Sequence, residues 1–200
     1  MENLYNLFKF IESRYPQYKI PSVLKIINND PLTKEDLNIK GDLKLINSNI
    51  ETLPIGLNIS GHLIFSQCKN LKELPTNLEV GASLYLYNCT SLESLPIDLK
   101  VDRSIFLNHC TNFKKLPNNF KTNKTLSLQN SISLKTLPDN LRVGRTLDLN
   151  GCTSLEFLSN SLIVYEDLNL IDTLIADKYT LKQIRNMYPE MIVHGDIYLY

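Results

Sequence analysis

The chain has no charge of one sign to spare. Its 21 basic side chains are matched by 21 acidic ones, and only five of the basic ones are arginine. A broad basic field for nucleic acid or an anionic membrane is therefore not available. No apolar run approaches the roughly 18 residues that a membrane helix needs. The opening MENLYNLFKF has no basic region followed by an apolar run, which argues against a secretory signal. The expected compartment is the cytoplasm, or a host cytoplasm for a protein delivered there, where thiols stay reduced. The seven glycines fall mostly one per segment before a strand, and none sits in a phosphate-cradling or dinucleotide fingerprint. The three histidines form no metalloprotease pattern, and no nucleophile elbow is present. No cofactor and no enzyme activity are expected.

What the sequence has is a period. Cys68, Cys89 and Cys110 are spaced by 21 residues, and Cys152 follows at twice that interval. Leu-Pro recurs in the same step at Leu53-Pro54, Leu74-Pro75, Leu95-Pro96, Leu116-Pro117 and Leu137-Pro138, with Leu158-Ser159 as a sixth copy. Leu63, Leu84, Ile105, Leu126, Leu147 and Leu168 form another column, and Phe65, Leu86, Leu107, Leu128, Leu149 and Leu170 the next. Val80, Val101, Val143 and Val164 form a further one, with Thr122 as its exception. The L-x-L element has period two, so its leucines face one side and the residue between them the other. Proline in five of the six units excludes a long helix. Each unit is thus a short strand, a turn and an extended or 3-10 return, and only stacked units bury a continuous core.

The repeating unit L-x-L-x-x-C-x-x-L-x-x-L-P-x-x-L-x-V resembles the leucine-rich repeat in a short form, over about residues 31–173. Similar repeats occur in bacterial effector proteins and in phage or viral proteins. The expected fold is a leucine-rich-repeat solenoid with an eight-stranded parallel sheet, a mostly extended or 3-10 convex side, a helical N-terminal cap and a helix-plus-strand C-terminal cap. Residues 1–36 form the first cap, 37–173 the repeats and 174–200 the last coil. Strands are expected near 42–46, 62–66, 83–87, 104–108, 125–129, 146–150, 167–171 and 196–200. Helices are expected over 2–14 and 21–29, covering the first end of the core, and a further one on the stripe Leu181, Ile184, Met187 and Tyr188.

A metal reading of the cysteines needs ligands converging at short spacing. One thiol per coil gives a line instead. A disulfide between adjacent coils would fit the distance, but Cys152 has no neighbour and parallel side chains do not point at one another. The column reads as small buried thiols, with Ser131 accommodated by its size. His109 precedes Cys110, but the two side chains should diverge.

Function in a solenoid lies on the face the strands present. Ile64, Tyr85, Tyr87 and Phe106 should form an aromatic cluster there, with Asn108 and His109 at its rim, as a binding site for a protein partner. Strand propensity alone would also put such residues there, and the N-terminal segment could fold over them. Asp148, Asp167, Asp172 and Asp196 make a second, acidic zone, suited to a basic partner or simply solvated. The column Ser83, Ser104, Thr125 and Thr146 reads as a solvated ladder. The edge strand carrying Tyr198 and Tyr200 is a template for a second copy or a partner strand. The alternative to a binding module is an architectural subunit or homo-oligomer packed through that edge.

Overall fold

The computed structural model describes residues 2–200, with side chains from residue 4 onward. It is a parallel solenoid of coils about 21 residues long. Its main sheet holds eight strands in sequential order, from Leu43–Lys44 through Leu63–Ile64, Leu84–Tyr85, Ile105–Phe106, Leu126–Ser127, Leu147–Asp148 and Leu168–Asn169 to Ile197–Tyr198. Pairing is in register with the repeat, as in Leu84 with Ile105 and Tyr85 with Phe106. The regular strands are two residues long, but the ladder runs further: Leu43, Leu45 and Asn47 each donate a backbone N–H to the next coil. Those bonds span most of the expected 42–46 segment.

The return side is more ordered than an extended connection. Short strands at Asn38–Ile39, Asn58–Ile59, Glu79–Val80 and Lys100–Val101 form one four-stranded parallel sheet. Lys121–Thr122, Arg142–Val143, Ile163–Val164 and Ile192–Val193 form a second. The break falls at Thr122, the residue that interrupts the valine column. There, side chains take over the bonding: Thr122 Oγ1 donates to the Arg103 carbonyl at 3.1 Å and Asn123 Nδ2 to that of Asp102 at 3.3 Å. The 3-10 character is confined to single turns, such as Leu92 N–H to the Cys89 carbonyl.

The leucine columns line one continuous core, with Leu63, Leu84, Leu107, Leu126, Leu147 and Leu168 almost completely buried. The cysteines share that core as free thiols, and their role goes beyond size. Each thiol donates to a strand carbonyl of the preceding coil: Cys68 to Leu45 at 2.8 Å, Cys89 to Phe65 at 3.1 Å, Cys110 to Leu86 at 2.9 Å and Cys152 to Leu128 at 3.1 Å. Ser131 Oγ makes the same bond to Leu107 at 3.0 Å. Serine replaces cysteine in this column because both carry a donor. Buried Ser48 and Thr173 occupy the same column in the first and seventh coils. Thr173 turns its hydroxyl to its own coil's Leu170 carbonyl and caps the following helix.

The residue before each member of this column sits in the left-handed region: Asn47, Gln67, Asn88, His109, Asn130, Gly151 and Asp172. Asparagine tolerates that conformation better than most residues. Backbone geometry thus places part of the chain's asparagine. Gly81 serves a different need. A Cβ there would lie 2.5 Å from the Ser60 carbonyl oxygen of the coil below.

The caps differ from expectation in detail. Helix α1 (Glu2–Arg14) packs through Tyr5 on Leu24 of α2 (Ser22–Ile27), in a small cluster with Ile20 that is separate from the main core. Among the described residues of these helices, Ile26 alone is buried in the main core. Asp36 ties the cap to the first coil. It accepts from Ser22 Oγ at 2.8 Å, Lys25 Nζ at 2.9 Å and both the N–H and hydroxyl of Thr33. Burial opposes its ionisation, but these donors together hold its carboxyl well below the ordinary carboxylate range. At the other end there are two short helices instead of one, α3 (Leu174–Lys178) and α4 (Leu181–Met187), the second closed by a capping box of Thr180 and Gln183. Ile184 and Tyr188 are buried, whereas Leu181 and Met187 of the expected stripe are exposed. The helices lie on the return side, so Met191, Val193, Ile197 and Leu199 of the last coil stay half-exposed where their counterparts one coil earlier are buried.

Candidate functional site

The alternation within each strand sends Ile64, Tyr85, Phe106, Ser127, Asp148, Asn169 and Tyr198 to the outer side of the main sheet, in register from coil to coil. The structure brings the expected aromatic residues together. Tyr85 and Phe106 stack with ring centroids 5.0 Å apart and planes 9° from parallel. Tyr87 tilts against both, at 5.9 Å from Tyr85 and 6.0 Å from Phe106. His62, which the sequence reading did not single out, extends the row at 5.7 Å from Tyr85. Its Nδ1 accepts the Ser83 backbone N–H at 3.2 Å. Among the described residues, the ring–ring contacts of Tyr85, Tyr87 and Phe106 are with one another and with His62. Burial raises the Tyr87 phenol above its ordinary range, with Tyr85 adding to the effect.

Two outward positions are not solvated. Ser83 is buried, an exception to the reading of its column as a solvated ladder, whose other members Ser104, Thr125 and Thr146 are half-exposed. Its Oγ takes a long bond from the Ser104 N–H at 3.4 Å. Ser127 is only 4% exposed and its Oγ has no hydrogen-bond partner. Ser127 sits in register between Phe106 and Asp148, whose larger side chains shade it. Strand alternation predicted the direction of Ser127 but could not predict this shading.

Asn108 joins the site through a polar chain. A carboxylate only accepts hydrogen bonds, so Gln129 turns its Nε2 to Asp148, and its Oε1 then accepts from Asn108 Nδ2 at 2.9 Å. The Asn108 Oδ1 is left buried and unpaired. His109 is exposed but holds a left-handed turn position at φ 60°, so its place follows from the coil geometry. Asp172 stands at the equivalent turn, φ 55°.

The acidic residues are partly structural. Asp148 Oδ1 takes the Asn150 N–H at 3.2 Å, and Asp167 Oδ1 takes the Asp196 N–H at 2.9 Å. Yet among the described residues none of Asp148, Asp167, Asp172 and Asp196 has a cation partner. The return side contrasts with this, since Lys100 pairs with Glu79, Lys114 with Glu93 and Arg145 with Glu166 from coil to coil. On the strand face Lys44 lies 3.9 Å from Asp42. Tyr198 and Tyr200 are exposed on the final strand, which pairs on one side with Leu168–Asn169. The Asp167 carboxylate, then partial burial and Asp196, raise the Tyr198 phenol.

Among the described residues no group of three or more metal-ligating side chains converges, and no helix is long and apolar enough to cross a membrane. Compared with known proteins, the chain matches no family model, no curated protein and no solved structure.

Proposed function

We propose that this chain is a leucine-rich-repeat-like, non-enzymatic module that binds a protein partner through its strand face. The site centres on Ile64, Tyr85, Tyr87 and Phe106, with Asn108 and His109 at the rim. The observation that carries this reading is the contiguous ring stack over adjacent coils. Aromatic groups held in place by one another lose little freedom on binding, and such groups dominate protein interfaces. The resemblance to short bacterial and phage repeats makes a host protein a natural target. The test is affinity for a captured partner. The Tyr85→Ala/Phe106→Ala variant should bind it at least about tenfold more weakly, a loss of ~1.4 kcal/mol or more. Full affinity in that variant rules out the aromatic face as the site.

A second reading has its own observation. Ile197 and Leu199 are half-exposed where Leu168 and Leu170 are buried, and the final strand is paired on one side. An exposed apolar strand edge favours β-pairing with a second copy. A mass by light scattering that rises with concentration, and falls back to the monomer for Tyr198→Pro, would support assembly through this edge. A monomeric mass at every concentration would exclude it.

A further inference from the structure

The strand face is chemically divided along the solenoid axis, and the division specifies a partner. One half is the ring row of Tyr85, Phe106 and Tyr87. The other carries the carboxylates of Asp148, Asp167 and Asp196, none of them paired with a cation among the described residues. Between the halves lies Ser127, 4% exposed, its hydroxyl unpartnered and its place in register between Phe106 and Asp148. The whole chain is electrically neutral, so this negative half is a local feature. Lys44 lies near Asp42 at the other end of the strand face, while Asp148, Asp167 and Asp196 have no cation partner among the described residues.

Resting on the reading of this face as the binding surface, we propose that it takes an extended peptide segment of a protein partner. That segment places an apolar side chain on the Tyr85–Phe106 row and an arginine or lysine at Asp148 and Asp167. Spacing sets the motif. Coils lie about 4.8 Å apart, so Phe106 and Asp148, two coils apart, are separated by roughly 10 Å; a chain in the extended polyproline II form, three residues per turn at about 3.1 Å each, covers that distance in about three residues with both side chains on one face. The matching segment therefore reads apolar-x-x-basic along the solenoid axis. Ser127 lies under the middle of it, in register between the two recognition positions. The polar chain fixes the recognition end. Gln129 holds one oxygen of Asp148 and the Asn150 N–H holds the other, so the carboxylate has one orientation. A fixed carboxylate suits the planar fork of arginine better than the point charge of lysine.

The test uses the full chain and a displayed pool of random peptides roughly twelve residues long, enough to cross the face at an extended rise. The selected sequences should converge on arginine or lysine about three residues from an aliphatic or aromatic side chain. Synthetic copies should bind Phe106→Ala and Asp148→Asn each about tenfold more weakly than wild type. They should also weaken on raising salt from about 0.05 M to about 0.5 M. Both substituted side chains are half-exposed, and an unchanged melting temperature confirms that the variants fold. Three results would overturn the proposal, and they separate it from the reading beneath it. Binders lost on Phe106→Ala but lacking a cation, or indifferent to Asp148→Asn, leave the face as the site and refute the basic motif. Binders indifferent to Phe106→Ala and to Tyr85→Ala refute the face itself. A pool that yields no binder refutes both.

Discussion

At the scale of the residue, the cysteine column changes meaning once its bonds are seen. Read as sequence, it is a row of small hydrophobes. In the fold it is a row of donors, each bonded to a carbonyl of the coil before it, although the Leu86 and Leu128 carbonyls also accept a turn N–H of their own coil. An unsatisfied buried acceptor costs about 1–3 kcal/mol. Cys89→Ser should therefore be better tolerated than Cys89→Val, even though valine fills the space better. Denaturant midpoints of the two variants check this, and a more stable valine variant would refute the donor role. Burial also pushes the Cys110 and Cys152 thiols up to about 12, and the Cys89 thiol higher still. Near pH 8 all four side chains should resist a thiol-specific chromogen in the native state and react together on unfolding. Their burial was legible from the period alone. The bonds were not, because periodicity reports which way a side chain points and not what its polar atom meets. Ser48 and Thr173 were missed for a related reason: a column defined by cysteine hides members that share only the donor.

At the scale of the element, the N-terminal cap depends on one carboxylate. Asp36 collects Ser22, Thr33 and the largely buried Lys25, joining α2 to the first coil. Asp36→Ala leaves that ammonium without its partner, at a cost of ~3 kcal/mol to the cap. The sign of the pH dependence follows from the lowered native value. The contribution of Asp36 is complete above the ordinary carboxylate range near pH 4 and is lost as pH falls through its native value. Amide exchange in α2 and in residues 33–39 should accelerate at acid pH before exchange in the central coils does. Equal protection of cap and centre down to global unfolding would contradict this. The strands, their order and their register were legible because the 21-residue step repeats without error through the centre. The caps were legible only as helices. Their packing rests on Asp36, Tyr5 and Ile26, which occur once and carry no period.

At the scale of the whole molecule, a stack of coils makes mostly neighbour contacts, so stability sums over coils and falls toward the ends. Leu107→Ala in the fully buried middle should cost about 3 kcal/mol. Truncating half-exposed Leu199 should cost much less, and urea midpoints would show the difference. The same architecture offers two competing surfaces for a partner. One is the strand face with its stacked rings. The other is the return side, where Ile55 and Ile97 stand 69% and 81% exposed. The sequence located the aromatic positions on the strand face, but it did not show the stacking, the burial of Ser127 or the carboxylate fixed by Gln129. Each of these depends on how large neighbours in adjacent coils shade and bond one another. The most direct measurement places a photo-reactive benzoylphenylalanine at Tyr87 in one sample and at Ile97 in another, and irradiates each with the bound partner. Partner adducts from position 87 and none from position 97 is the result this account predicts. Adducts from position 97 with none from position 87 would contradict it.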